Sequence, residues 1–249
     1  MILCLDVGNS HIFGGVFENE NLKLHFRNIT QQGATSDQLG IFLKTVLREN
    51  NISGTITQIA IGSVVPSIDY SLTAACKKYF GIEPFILQAN IDTGIKNYRS
   101  STGADLIAAN LAATQRYPNQ NIIVIDLGTA TTISAISQAK EYLGTAILPG
   151  VKTSMLALQS KASKLPPVEI IKPETPISNL TIAGIQAGLY YSQLGAMRTL
   201  THCITNQYFT TKPVVIGTGG FAHLFEQENI FDVVIPDLVL EGLKIALSI

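Results

Sequence analysis

The sequence predicts a duplicated α/β fold, two similar halves facing a cleft, and three observations predict it. Asp6-Val7-Gly8-Asn9-Ser10 closes one apolar strand, and Asp126-Leu127-Gly128-Thr129-Ala130 closes another 120 residues later. Each is followed by a β-rich stretch and then by helix and strand, the pattern of one supersecondary unit used twice. The 249 residues, 46% hydrophobic and 14% charged, supply the core for one large domain or two small ones. The expected boundary divides the chain into residues 1–117 and 118–249.

The elements follow in order. ILCLDV, HIFGGVF and LKLHFRN read as three short strands, separated by turn residues at Gly8-Asn9-Ser10 and Asn19-Glu20-Asn21, an antiparallel meander. A helix over 36–49 puts Leu39, Phe42, Leu43, Val46 and Leu47 on one face, with Ser36 or Asp37 as its cap. TQIAIGSVV is a buried strand, a helix runs from Pro66 to a stop at Gly81, and PFIL is a short strand. A loop through Tyr98 leads to a helix from Gly103 to Arg116. NIIVIDLGTATTISAI gives two strands around a Gly-Thr turn, a third strand lies near 141–147, and LPGVKTSMLALQSKA is a helix with Pro149 near its start. Residues 165–179 contain Pro166, Pro167, Pro173 and Pro176 and read as a loop or a domain-crossing connector. The helical pattern over 181–205 has an apolar stripe too wide for one face, so the core or a partner subunit covers it. Strand VVIGT, a helix near 221–228, strand VVIP and a helix over 237–248 close the chain.

Composition excludes several classes. Lys and Arg number 17 against 18 Asp and Glu. With no basic stripe, nucleic acid is not expected as a partner. Cys4, Cys76 and Cys203 fit neither a metal knuckle nor a disulfide framework and read as small buried hydrophobes. MILCLDVGNS has no basic leader, and no uncharged apolar run approaches the roughly 18 residues of a membrane span. No membrane association and a cytoplasmic location are the expectation.

The chemistry sits at the two Asp-x-Gly turns. A carboxylate ending an apolar strand is costly unless it is paired, hydrated or bound to a cation. The next glycine permits close backbone approach, and Asn9, Ser10 or Thr129 supplies donors suited to phosphate, with a hard cation held by the carboxylate. Two such turns at matching places point to a nucleotide phosphate site; one alone reads as a solvated turn. Gly217-Thr218-Gly219-Gly220 reads first as a strand-to-helix turn, although its glycines also suit a purine or ribose. The P-loop and Gly-x-Gly-x-x-Gly signatures are absent. Asp105, opening a helix, is either a helix-start residue or a general base on a hydroxyl attacking a γ-phosphoryl group. Lys152 reads equally as a phosphate neighbour and as a solvated helix residue.

Taken in order, DVGNSHIFGGVF, GAD at 103–105, DLGTATT at 126–132, LPGVKTS at 148–154 and TIAGIQAG at 181–188 resemble type III pantothenate kinases, members of the actin and sugar-kinase superfamily. The resemblance covers nearly the whole chain. It implies a duplicated actin-like (ribonuclease H-like) two-lobed fold that phosphorylates pantothenate with ATP, giving 4′-phosphopantothenate for coenzyme A. By this resemblance Asp6, Val7, Gly8, Asn9, Ser10, His11, Ile12 and Phe13 form the first ATP phosphate loop and Thr129 also contacts ATP. Asp105 is the catalytic base, and Asp126 binds a monovalent cation, K+ or NH4+. Tyr98, Gly103, Ala104, Asp105, Leu106 and Thr181 line the pantothenate pocket. Mg2+ accompanies ATP, and the protein is a homodimer. The chain departs from the family in two places: Leu106 stands where Arg is usual, and YRSSTG at 98–103 lacks the family's Pro. Arg99 or another cation would then have to meet the pantothenate carboxylate. Two rival readings are an ATP-binding regulatory protein, like the accessory factor named among relatives of this family, and an actin-like filament protein.

Overall fold

The computed structural model describes residues 1–162 and 164–249, and the chain falls into two compact units. The first comprises Met1–Ala112 with Leu238–Ile249, the second Ala113–Asp237. The C-terminal helix, placed by the sequence reading with the second half, thus belongs to the first unit. The chain passes between the units twice, inside one helix after Ala112 and again between Asp237 and Leu238.

In the first unit β1 (Ile2–Val7), β2 (His11–Glu18) and β3 (Asn21–Ile29) form the antiparallel meander. β4 (Gln58–Ser63) pairs parallel with β1, and β5 (Phe85–Leu87) parallel with β4, giving the order β3-β2-β1-β4-β5. Alternation sends Leu3, Leu5, Val7, Ile12 and Val16 to one face. There they pack with Leu39, Leu43 and Leu47 of α1 (Ser36–Glu49) and Ile68 and Leu72 of α2 (Pro66–Phe80). The opposite face, carrying Asp6, Phe13 and Gly15, meets α3 (Ala104–Arg116) and α6 (Leu238–Ala246). Close approach on this face needs glycine: a Cβ on Gly62 would stand 3.0 Å from Leu243 and 3.4 Å from Ala104, and one on Gly15 2.8 Å from Leu240.

The second unit repeats this plan. β6 (Ile122–Leu127), β7 (Ala130–Ile136) and β8 (Tyr142–Pro149) form a meander, with β9 (Val214–Thr218) parallel to β6 and β10 (Val233–Val234) parallel to β9. The order β8-β7-β6-β9-β10 matches the first sheet strand for strand. Each meander also bulges at one place, between Val16 and Phe17 and between Ala135 and Ile136. α5 (Thr181–Tyr208) buries Ile185, Leu189, Tyr190, Leu194 and Met197 in the second core, and α4 (Val151–Lys161) contributes Val151. Ala222–Glu228 is a 3-10 helix. The proline-rich stretch is a loop of the second unit, not a domain-crossing connector; its Leu165, Val168 and Ile170 pack against that unit's core. Cys4 and Cys76 are buried, whereas Cys203 is exposed on α5 and is no core residue. No helix among the described residues is long and apolar enough to cross a membrane.

The cap of α1 differs from the expected Ser36 or Asp37. Thr35 is the N-cap: its hydroxyl accepts from the Gln38 N–H at 3.2 Å, and the Gln38 side chain accepts from the Thr35 N–H at 2.9 Å, a complete capping box. Asp37 is turned to Lys78 and Tyr79 of α2 at 2.6 and 2.8 Å. Thr35→Ala is expected to cost about 1 kcal/mol in urea unfolding, while Ser36→Ala stays within about 0.5 kcal/mol. Equal losses for the two would return the cap to Ser36.

Candidate active site

Asp6 is the second-last residue of β1. It sits in one row with Phe13 of β2 on one side and Gly62 of β4 on the other. Ladder partners project to the same sheet face, so the Asp6 carboxylate shares its face with Phe13. The loop after Val7 is pinned at both ends. The Gly8 N–H donates to the His11 carbonyl at 3.0 Å, the Thr30 hydroxyl donates to the Gly8 carbonyl at 2.6 Å, and the Thr30 N–H donates to the Ser10 carbonyl at 3.0 Å. Asn9, Ser10 and His11 are exposed at its tip, and Val7 and Ile12 are buried beneath. Thr30, which sequence reasoning did not single out, therefore holds the loop's shape.

Asp105 comes to the same end of the same face. Ala104 packs on Gly62, which is the row partner of Asp6. Gly103 lies against Val64, whose N–H donates to the Val7 carbonyl at 3.0 Å. Residues 103–105 and the first loop thus meet at one sheet end. Gly103 has no side chain where the Asp105 carboxylate lies back, and a Cβ there would collide with Asp105 Oδ1. Oδ1 accepts from the Leu106 N–H at 2.8 Å. Burial pushes the Asp105 carboxyl above the ordinary carboxylate range, with backbone N–H groups of Leu106 and of Asp105 itself pulling the other way. A half-buried carboxylate held above its ordinary range beside the Gly8 loop has the profile of a proton acceptor. Leu106 is half-buried. Tyr98, also half-buried, precedes a turn closed by the Thr102 N–H donating to Arg99 O at 2.9 Å and the Arg99 N–H donating to Thr102 Oγ1 at 3.1 Å.

In the second unit Asp126 shares a row with Thr132 of β7 and Thr218 of β9. Its loop is one residue shorter than the first: Leu127 pairs with Thr131, whereas Val7 pairs with Ile12. The Thr129 carbonyl is fixed by the Thr153 hydroxyl at 2.6 Å and the Gly150 N–H at 3.1 Å, and Thr129 itself is exposed. Buried Gln193 of α5 accepts from the Thr131 hydroxyl at 2.9 Å and donates to the Pro149 carbonyl at 2.7 Å, tying the β7 side of this loop to the end of β8. Gly219, at φ +86°, lies directly against Asp126; a Cβ would collide with Asp126 Oδ1 and stand 2.7 Å from the Leu127 nitrogen. The simpler strand-to-helix turn reading of Gly217–Gly220 is therefore incomplete, because one of its glycines shapes the Asp126 site. Thr218, buried with its hydroxyl unpartnered, lies on the same face as Asp126. Lys152 is exposed at the start of α4. Thr181, exposed at the start of α5, lines a groove of about 750 Å³ in this unit, together with Pro149, Ser154, Leu158, Ile185 and Leu189.

Twin five-stranded sheets of the same strand order, whose central strands each end in an Asp-x-Gly loop, define an actin-like fold. The likeness to solved structures agrees. A candidate 2-dehydro-3-deoxygalactonokinase from Sinorhizobium meliloti gives a TM-score of 0.59 at 12% identity, covering 100% of this chain and 96% of that one. The activator of 2-hydroxyisocaproyl-CoA dehydratase from Clostridium difficile, solved with bound ADPNP, gives 0.53 at 11% identity, covering 99% and 96%. The family model for type III pantothenate kinase matches residues 2–203. A type III pantothenate kinase of Legionella pneumophila (strain Corby) is 55% identical, over 99% of this chain and 98% of the relative. Type III pantothenate kinase 1 of Francisella tularensis subsp. holarctica (strain OSU18) is 46% identical over 98% of each. The chain belongs to the type III pantothenate kinase family.

The close seat of Gly219 makes a direct test of the second loop. Gly219→Ala is strained at its positive φ and displaces Asp126, so ATP affinity in calorimetry is expected to fall at least tenfold in a protein with native circular dichroism. Unchanged affinity would show that the glycine turn takes no part in binding ATP.

Proposed function

We propose that this chain transfers the γ-phosphoryl group of ATP to the primary hydroxyl of pantothenate, opening coenzyme A biosynthesis, with Asp105 as the base. The observation that carries the reading is the half-buried Asp105 carboxylate, its proton affinity raised by desolvation, held through Ala104, Gly62 and Val64 at the sheet end that carries the first Asp-x-Gly loop. In the reaction Asp105 accepts the hydroxyl proton as the substrate oxygen bonds to the γ-phosphorus. The bond from phosphorus to the β–γ bridging oxygen breaks, and ADP leaves. Asp6 to Phe13 cradle ATP phosphates through backbone donors that the Thr30 clamp holds in place before ATP arrives. Thr129 takes a second set of phosphate contacts. Gly103 to Leu106, Tyr98 and Thr181 line the pantothenate pocket. Leu106 offers no charge to the pantothenate carboxylate, so that recognition passes to another donor.

The surroundings of Asp126 suit a monovalent cation, K+ or NH4+. The carboxylate, the unpartnered Thr218 hydroxyl on its row and the space left by Gly219 make an oxygen-lined cradle. A cation bound there would offset the carboxylate charge near the ATP phosphates. Mg2+ enters with ATP as its counter-ion. A homodimer and a cytoplasmic location complete the proposal. The regulatory reading is not favoured: the relatives at 46–55% identity are named kinases, and a pure nucleotide binder needs no base at Asp105.

Phosphate transfer read by product mass, with ATP and magnesium and with or without potassium, tests this reading. Potassium-stimulated 4′-phosphopantothenate is the expected product, and Asp126→Ala should abolish the stimulation. A folded, nucleotide-binding protein that makes no product would move the reading to another hydroxyl substrate.

Asp105→Asn should keep fold and ATP binding while turnover falls more than tenfold. Its stability has a definite sign as well. The folded chain holds the Asp105 proton more tightly than the unfolded chain does. Stability therefore falls as pH rises from the ordinary carboxylate range through the raised value, and the whole cost is present above it. The Asn variant should accordingly melt higher than wild type at pH 7, with the gap closing below about pH 4. A variant that melts lower at pH 7 would show that the carboxylate is stabilised in place.

A further inference from the structure

We propose that Arg27 of β3 is a further nucleotide-binding residue, its guanidinium meeting the phosphates of ATP held at the first loop. This rests on the reading of that loop as an ATP phosphate site.

The row that contains Asp6 continues across the meander: Asp6 pairs with Phe13, and Phe13 pairs with Arg27. All three project to one face, the face on which Asp105 also arrives. Arg27 is exposed, and its guanidinium carbon stands 4.6 Å from the centre of the Phe13 ring, so the aromatic face holds the cation over the last residue of the loop segment. The guanidinium makes no hydrogen bond or ion pair with a described residue. Its donors are therefore available for a planar, multiply charged acceptor such as a phosphate. The end of β3 is fixed to the loop itself, because Thr30, three residues on, binds the Gly8 and Ser10 carbonyls.

The duplication supplies an internal comparison. The equivalent row in the second unit runs Asp126, Thr132, Ile147, with Ile147 67% exposed. The sheet architecture therefore accepts an uncharged residue at this place, and a cation in the first unit answers to something other than folding. The first loop otherwise brings a carboxylate and backbone dipoles to a polyanion. A positive side chain on the Asp6 row supplies the missing charge.

Calorimetry with ATP and, separately, with adenosine tests the proposal on wild type, R27Q, R27K and the distant charge control R48Q. R27Q is expected to weaken ATP at least fivefold and adenosine less than twofold. R27K should retain part of the ATP affinity, and R48Q all of it. An ATP loss under fivefold in a folded R27Q protein overturns the proposal. So does an equal loss for adenosine, which would mean that Phe13 and the loop had been disturbed. If wild type binds no ATP while adenosine still binds, the phosphate-loop reading itself falls, and Arg27 with it.

Discussion

The arrangement depends on one constraint: in each sheet the central strand ends in a carboxylate that is part buried and needs open space on its face. Filling that space with a side chain would force a buried charge against carbon, an expensive outcome. Each unit keeps it clear with glycine. In the first, Gly62 occupies the neighbouring row position, so Ala104 of α3 can approach and bring Asp105 with it. In the second, Gly219 leaves the strand at positive φ and lies against Asp126. The same problem has two local solutions. They differ in what is let in: a helix start bearing a carboxylate in one unit, a glycine turn in the other.

Both loops are shaped by groups that do not belong to them. Thr30 holds Gly8 and Ser10, whereas Thr153, Gly150 and Gln193 hold Thr129 and its approaches. Backbone donors fixed before the ligand arrives lose little entropy when it binds and need not reorganise during transfer. Gln193 is the most telling of these, since it is a buried amide whose carbonyl and nitrogen are both met, by Thr131 at the start of β7 and by Pro149 at the end of β8. An apolar side chain there would leave the Thr131 hydroxyl and the Pro149 carbonyl without it, so the wide stripe of α5 carries a polar requirement as well as a packing one.

Much of this was legible in the sequence, because each signal was local. The Asp-x-Gly echo marked the duplication, Pro66 and Gly81 bounded α2, and the alternating strands gave the meanders. What escaped was set by contacts distant in sequence. Asp37, an expected cap of α1, is drawn instead to Lys78 and Tyr79, 41 and 42 residues away, although the Thr35-Gln38 capping box that starts the helix is itself local. The C-terminal helix joined the first unit because Leu240 and Leu243 fill the space over Gly15 and Gly62. Nothing near residues 238–246 announces that destination. Cys203 reads as core in a stripe of Leu, Met and Ile, yet lies on the one side of α5 that the core does not cover.

Arg27 shows how a single irregularity hides a functional position. Counting the β2–β3 register outward from the Asn19-Glu20-Asn21 turn pairs Phe17 with Leu22, and the same count puts Phe26 opposite Phe13. The bulge between Val16 and Phe17 adds one residue to β3, so Arg27 takes that place and Phe26 turns into the core. A slip of one residue exchanges the two faces of a strand. Without the bulge, the aromatic ring would lie on the Asp6 face and the cation would be pressed into the α1–α2 core. The second meander bulges at the corresponding step, which makes the irregularity a property of the duplicated unit. Among the differences between the two copies, the residue presented at the end of the row, arginine in one and isoleucine in the other, is the one that changes the charge the sheet offers a ligand.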